Sequence, residues 1–242
     1  LHRRRHSFPT RRSSDLEGRL SDEDIRFLSF RSGYTRFRIC TRGQTVGECQ
    51  SSLLNGRGRP DSATANLFDY SGGHMQKHAV TMGLGDMDNA QLASAIERTL
   101  RPLGPDWHIG YTQAQLAGGA NGTASNYARF LRGILQGDLQ MGKLLGTHAV
   151  CTNPGTCPTE AVKTPIPQTE TWHYSIGHWV EDDPKVGDGA FSSAGAFGFY
   201  PWIDASKTNY GIVARFDAVG GGNESAVCGA LIRKAWLTAQ AQ

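Results

Sequence analysis

Long apolar segments and dense charge are both missing from this sequence. Charged residues make up only 19% of the 242 residues, and 30 glycines interrupt the chain. No apolar stretch approaches the ~20 residues of a membrane helix, and the N-terminus lacks the apolar core of a signal peptide. The glycines argue against a coiled coil, and the 38% hydrophobic content argues against a disordered chain. The sequence predicts a globular protein without a transmembrane segment, either one large domain or a main domain with a smaller one inserted.

Cysteines are few, and none of their spacings matches a zinc or iron–sulfur motif. Cys40 with Cys49 and Cys151 with Cys157 form two local pairs in Gly- or Pro-rich surroundings, whereas Cys228 stands alone. Two disulfides in a secreted or periplasmic protein are one interpretation of these pairs. Unpaired structural thiols are the other interpretation. No metal and no cofactor is expected, since His173 and His178 would lie on opposite faces of a strand.

Positive charge is concentrated at the N-terminus. Residues 1–16 carry a net charge of +4, which leaves −1 for residues 17–242. The string from His6 to Leu16 looks like a translated sequencing adapter, so residues 1–16 are interpreted as a non-native leader. A natural basic arm is the alternative. Since the rest of the chain is nearly neutral, no nucleic-acid partner is expected, although six arginines gather in the segment that follows: Arg31, Arg36, Arg38, Arg42, Arg57 and Arg59.

The first part of the remaining chain, residues 17–170, is predicted to be helical and loop-rich. A short helical turn over 22–30, helices over 74–82 and 89–100, and a long connection over 34–66 are expected. The strongest periodicity predicts an amphipathic core helix begun by Thr123 or Ser125 and ended by Gly137, with its apolar face formed by Tyr127, Phe130, Leu131, Ile134 and Leu135. The proline-rich stretch 146–170 is predicted to be an ordered loop.

The second part, residues 171–242, has the character of a sheet. Runs over 171–180, 192–203 and 209–216 are aromatic and β-branched, and the turn 204–208 predicts an antiparallel hairpin between the last two. A closing helix over 224–238 is expected to cover one face of the sheet, with Val227, Ala230, Leu231 and Leu237 as its apolar residues.

Two short motifs contain residue types that are used in catalysis or ligand binding. Tyr70, followed by Ser71, Gly72 and a helix start, can hold a phenol at a cleft edge, where it acts as a general base if neighbouring cations lower its pKa. Ser193, Ala194 and Gly195 are small residues that let a ligand backbone approach the edge of a sheet. Taken singly, the first motif is more typical of a tyrosine packed at a helix entry, and the second is more typical of an ordinary strand.

Four segments in this order resemble the serine β-lactamase and penicillin-binding-protein superfamily, in particular its class C-like branch with esterases and D-amino-acid peptidases. They are Ile25–Gly33, similar to Leu-Leu-Ser-His-Thr-Ser-Gly; Phe68–Gly72, similar to Tyr-x-Asn with Gly72 in place of Asn; Ala124–Leu131, similar to Asp-Tyr-Ala-Arg-Phe; and Ser193–Gly195, similar to Lys-Thr-Gly or His-x-Gly. The resemblance implies an α/β (α+β) fold, with an antiparallel sheet flanked by helices and a helical subdomain.

The resemblance also implies a mechanism and a gap. The family attacks an ester or amide with a Ser-x-x-Lys serine and forms an acyl-enzyme, so Tyr70 is the implied catalytic residue, and Ser71, Gly72 and Ser193–Gly195 the implied substrate contacts. None of the six lysines has a serine three positions upstream, and no Gly-x-Ser-x-Gly motif replaces it.

Two explanations of this gap remain open. One is an N-terminally truncated hydrolase, expected to be a monomer, and the other is a non-catalytic module that binds peptides or glycopeptides. As printed, the chain is expected to resist acylation by penicillins and fluorophosphonates, because its remaining serines have no identified activating base.

Overall fold

The computed structural model describes residues 20–241, so the expected leader over 1–16 lies outside the described residues. Within this range the α-helices are α1 (Asp22–Leu28), α2 (Val46–Ser51), α3 (Gly73–Ala79), α4 (Asn89–Thr99), α5 (Ala124–Gln136), α6 (Met141–Leu144) and α7 (Gly222–Thr238). Shorter helical pieces are the 3-10 segments Leu53–Gly58 and Arg101–Leu103 and the π segment Val80–Leu84.

The strands are β1 (Phe68–Asp69), β2 (Gly110–Tyr111), β3 (Ala120–Asn121), β4 (Val150–Cys151), β5 (Ala161–Lys163), β6 (His173–Tyr174), β7 (Trp179–Glu181), β8 (Ala190–Ser192), β9 (Phe199–Ile203) and β10 (Tyr210–Ala214). Six of them form an antiparallel sheet in the order β10-β9-β8-β7-β6-β4, while β1 pairs in parallel with β5 and β2 pairs with β3. An antiparallel sheet flanked by helices is the fold class that the sequence predicts.

Helix α5 follows the predicted pattern closely. The Thr123 side chain accepts a hydrogen bond from the Asn126 N–H and caps the helix, and Gly137 ends it in the left-handed conformation at φ 81°. Its apolar residues pack with Phe191 and Ile203 of the sheet. Helix α5 therefore covers one face of the sheet.

Helix α7 covers the opposite face, but not with the residues that periodicity indicates. Val227, Leu231 and Leu237, predicted to be its apolar contacts, are exposed. Its buried face instead has Gly229 against the Tyr200 ring and Arg233 bonded to Glu181. The prediction that this helix covers the sheet is confirmed, and the prediction of its contact face is wrong, because a glycine and a paired arginine carry the packing.

Two regions expected to be loops contain regular structure. The connection over 34–66 holds α2, whose start is fixed by a capping box between Thr45 and Glu48, and a 3-10 segment. The stretch 146–170 holds β4 and β5. These elements are short, so their hydrophobic periodicity is too brief to register in the sequence.

The core lies mainly between the six-stranded sheet and the segment from α1 to α3. We name as the aromatic cluster the large rings buried there, namely Phe30, Phe68, Trp172, Tyr174, Trp179, Tyr200 and Trp202. No helix among residues 20–241 has the length and apolar character needed to cross a membrane.

Candidate active site

Tyr70 follows β1 directly and lies against the aromatic cluster. Its backbone N–H donates to the Lys163 carbonyl at 3.0 Å, and its ring stacks on Trp179 with 5.3 Å between centroids. Burial raises the pKa of the Tyr70 phenol, and a hydrogen bond with Trp179 lowers it by a smaller amount. Neither influence is a cation, so in the described part of the chain Tyr70 is a protonated phenol at neutral pH.

Ser71 and Gly72 shape the entry to α3. The Ser71 hydroxyl donates to the Thr35 carbonyl at 2.9 Å and is buried. A Cβ at Gly72 would lie 2.9 Å from the Ala117 Cβ and 3.1 Å from a Phe37 ring carbon. The position therefore has no room for the asparagine that the resembling motif carries, and both residues face the 35–37 segment.

Ser193, Ala194 and Gly195 form the start of the turn between β8 and β9. The Ser193 N–H donates to the Pro201 carbonyl at 3.2 Å and the Gly195 N–H to the Phe199 carbonyl at 2.8 Å, while the Ser193 side chain is exposed. Ala194 packs against the aromatic cluster, as Tyr70 does. Tyr70 and Ala194 thus pack against one cluster, whereas the Ser71 side chain bonds to Thr35 and Gly72 lies against Phe37 and Ala117.

Ser192 is a polar residue of this cluster that the motifs did not single out. It is 3% exposed, and within residues 20–241 its hydroxyl has no hydrogen-bond partner. In the sheet it pairs with Trp179 on one side and Trp202 on the other, so the three side chains share a face. A buried hydroxyl without a partner is costly unless a ligand or water satisfies it. The only sequence signal is its place beside Ser193.

Ser32 is the second residue that sequence reasoning missed. Its hydroxyl lies 2.7 Å from His74 Nδ1, while His74 Nε2 lies 2.9 Å from the Asp69 carbonyl oxygen. Since a carbonyl only accepts, His74 carries its proton on Nε2, and Nδ1 accepts from Ser32. Burial lowers the pKa of His74 to about 4, and its bond to the Asp69 backbone opposes this. Ser32 therefore has a neighbouring imidazole that the sequence analysis did not identify. Ser32 and His74 are 42 positions apart in the sequence, so no local pattern indicates their contact.

Both predicted disulfides are present, Cys40–Cys49 and Cys151–Cys157, and Cys228 is free and exposed. His173 pairs with Asp182 at 2.9 Å, whereas His178 accepts from the Gly146 N–H at 3.0 Å, so the two imidazoles have separate partners. Across residues 20–241 we find no group of three His, Cys, Asp or Glu side chains placed to hold a metal ion.

Comparisons with known proteins support the fold. No family model matches the sequence, and no curated protein matches it. Among solved structures, the chain is similar to that of a "putative beta-lactamase" from Bacteroides dorei DSM 17855, at 19% sequence identity and a TM-score of 0.50. The similarity covers 87% of this chain and 71% of that one. The chain has a β-lactamase-like fold.

Proposed function

We propose that this chain is part of a β-lactamase-related serine hydrolase that cleaves an ester or amide through an acyl-enzyme. The observation that supports the proposal is that Tyr70 and Ala194 both pack against the aromatic cluster. The unpartnered Ser192 hydroxyl on the same sheet face adds a polar group that a substrate can satisfy. The β-lactamase-like fold and the order of the motifs in the sequence support this proposal.

Each group has a proposed role. A Ser-x-x-Lys serine supplied by sequence outside this chain attacks the carbonyl carbon. The lysine of that motif supplies the cation that Tyr70 lacks, which lowers the phenol pKa and lets Tyr70 move the proton between nucleophile and leaving group. The Ser193 and Gly195 N–H groups donate to carbonyls of β9, so the Ala194 N–H is the group that we assign to the developing oxyanion. Ser71 and Gly72 hold Tyr70 in place through the entry to α3.

The setting follows from the same proposal. Two disulfides fit an oxidising compartment, so we place the protein in the periplasm or outside the cell. We propose that the protein acts as a monomer. The partner is a small-molecule or peptide ester or amide, not a nucleic acid, and the reaction uses no metal or organic cofactor.

A non-catalytic binding module is the second candidate, and one observation favours it. In this chain the pKa of Tyr70 is raised and its ring is packed into the aromatic cluster, so the phenol serves as a hydrogen-bond donor to a peptide or glycopeptide ligand. Such a module would keep the Ser192 hydroxyl and the 193–195 turn for binding alone.

A gene-level experiment separates the two functions. The genomic sequence upstream of residue 17 is read independently and joined to this chain, and the extended protein is exposed to a fluorescent penicillin and to ester substrates. The hydrolase predicts a Ser-x-x-Lys in the added segment and covalent labelling of that serine. Reversible ligand binding without labelling or turnover would overturn the hydrolase in favour of the binding module. The printed chain, with no Ser-x-x-Lys, is the control and remains unlabelled by penicillin.

A further inference from the structure

Ser32 stands on a sharp turn directly after α1. Phe30 and Gly33, on either side of it, have φ values of 58° and 79°, both in the left-handed region. This conformation is rare for a bulky residue such as Phe30, and strained residues of this kind are enriched at functional sites. A Cβ at Gly33 would lie 2.8 Å from the Asp61 carbonyl oxygen, so the turn also requires a glycine. The turn presents the Ser32 side chain to His74.

The contact between Ser32 and His74 has the arrangement of an activated nucleophile. The hydroxyl is 2.7 Å from Nδ1, and the Asp69 carbonyl at 2.9 Å fixes the tautomer that leaves Nδ1 free to accept a proton. The imidazole is also held in plane by Phe30, which stacks on it with 5.2 Å between ring centroids. Nucleophile, base and a group that orients the base are therefore all present.

Ser32 also reaches solvent through a cavity. It is half-buried and lines a space of about 180 Å³ together with Phe27, Tyr34 and Lys77. A second depression shares Arg26, Arg31 and Asn66 with this cavity. The nucleophile candidate is therefore open to a small molecule, in contrast to the fully buried His74.

The cavity wall favours an anion. Arg26, Arg31 and Lys77 line it, against the single carboxylate of Glu23. Burial lowers the pKa of the Arg31 guanidinium, and the like charge of Arg26 lowers it further. A carboxylate bound between the two arginines would relieve that repulsion and form charge-assisted hydrogen bonds.

From this geometry we propose that Ser32 is a nucleophile for small esters that carry an anionic group, with His74 as its general base. The site is independent of the proposed function, because it needs neither Tyr70 nor a Ser-x-x-Lys motif. Phe30 separates the two sites, with its ring 5.4 Å from that of Tyr70 on one side and 5.2 Å from His74 on the other.

The proposed reaction has two steps. Ser32 Oγ forms a bond to the ester carbonyl carbon while its proton passes to His74 Nδ1. The bond to the alkoxide leaving group then breaks, and that oxygen takes the proton from Nδ1. In the second step water attacks the acyl carbon, gives one proton to Nδ1, and releases the acid as Ser32 Oγ regains the proton.

Labelling of the 242-residue chain with a fluorophosphonate, followed by peptide mapping, tests the site. We expect one labelled serine, Ser32. Ser32→Ala should lower labelling on the order of 100-fold, the usual scale for losing such a group. Ser51→Ala is the matched control, because Ser51 is exposed and bonds only to carbonyls of its own helix. Fluorescent penicillin should leave the same chain unlabelled, which keeps this result distinct from that of the Tyr70 site.

The pH dependence of labelling distinguishes a base-assisted serine from an ordinary one. The charged or titratable side chains on the elements around His74 include those of Asp22, Glu23, Asp24, Arg26, Arg31, Tyr34, Asp69, Tyr70, Lys77 and His78. Because His74 is neutral well above its pKa of about 4, the labelling rate should be flat between about pH 6 and about pH 8, whereas a serine without a base reacts about tenfold faster per unit of pH.

Substrate preference is measured with two p-nitrophenyl esters, one with a carboxylate on its acyl group and one without. We expect kcat/KM to favour the anionic ester about tenfold or more, and Arg31→Gln to remove that preference. Labelling at another serine, a tenfold rise per pH unit, or equal rates for the two esters would each overturn the proposal. Peptide mapping of the labelled, unsubstituted chain tests the proposal whether or not any variant folds.

Discussion

Arg233 of α7 donates to Glu181 of β7 across 2.6 Å, and both side chains are almost fully buried. Tyr200 donates to the other Glu181 oxygen at 2.5 Å and accepts from Arg233 at 2.7 Å. Asp188 takes a further bond from Arg233 Nε at 2.7 Å. The contact is therefore a satisfied network rather than an isolated ion pair, and it joins the closing helix to the centre of the sheet.

Breaking this network from one side should be costly. Arg233→Leu leaves Glu181 buried without its partner, which is expected to lower the free energy of unfolding by about 3–5 kcal/mol. Urea titration measures the loss. In the double variant Arg233→Leu/Glu181→Leu no charge is left unpaired at position 181, so the combined cost should be smaller than the sum of the single costs. Simple additivity would show that the two side chains act separately.

The disulfides are expected to contribute measurably to stability. Their cysteines are 9 and 6 residues apart, and closing loops of that size stabilises a fold by about 2–3 kcal/mol each in the chain-entropy description. Urea midpoints with and without a reductant give the effect. Cys228→Ser is the control and should leave both midpoints unchanged, since Cys228 is exposed and unpaired. Equal midpoints in oxidised and reduced protein would contradict a stabilising role.

Much of the fold was readable from local sequence. Thr123 and Gly137 bracket α5 as predicted, and the 204–208 turn joins β9 and β10 in the expected hairpin. The buried face of α7 was not readable, because hydrophobic periodicity does not detect an arginine that is buried through its bonds to Glu181. Helix α2 was missed because six residues are too few for a periodic pattern.

The residues of the candidate site also fall into two groups, those that a local motif identifies and those that only the fold brings together. Tyr70 and the 193–195 turn could be named from motifs, since those motifs are local in the chain. The hydroxyl of Ser192 and the contact between Ser32 and His74 depend on which side chains the fold brings together, and no local pattern contains that information.

The close packing of α7 on the sheet predicts a sensitive glycine. A Cβ at Gly229 would lie 2.4 Å from the Tyr200 ring, so Gly229→Ala should cost about 1–3 kcal/mol by overpacking. At Gly85 the nearest atom to such a Cβ is 3.7 Å away, on Val80. Gly85→Ala should therefore be neutral or slightly stabilising. Thermal melts of the two variants make the comparison, and a similar loss in both would argue against tight packing at Gly229.

His178 should make stability depend on pH. Burial lowers its pKa to about 4, with the Ile176 carbonyl opposing this shift and Lys207 adding to it. The unfolded chain binds a proton below about pH 6.5 whereas the fold resists it until about pH 4. The stabilisation is complete above about pH 6.5 and is lost as pH falls toward 4.

The His178→Gln variant isolates this contribution. Between about pH 4 and about pH 6.5 the free energy of unfolding of the variant should change with pH less steeply than that of the original protein. The two slopes should differ by up to about 1.4 kcal/mol per pH unit. Urea unfolding at several pH values gives both slopes, and a variant as steep as the original protein would show that His178 is already protonated in the fold.

The proposed acyl-transfer role of the site is tested most directly by the turnover of the upstream-extended protein with Tyr70 replaced by Phe. Tyr70→Phe keeps the ring that stacks on Trp179 and removes only the hydroxyl. The free energy of unfolding, measured by urea titration, should therefore change by no more than about 1 kcal/mol. If Tyr70 moves the proton, kcat should fall on the order of 100-fold or more. A kcat within a few-fold of the unsubstituted extended protein, with the fold intact, would contradict the proposed role of Tyr70.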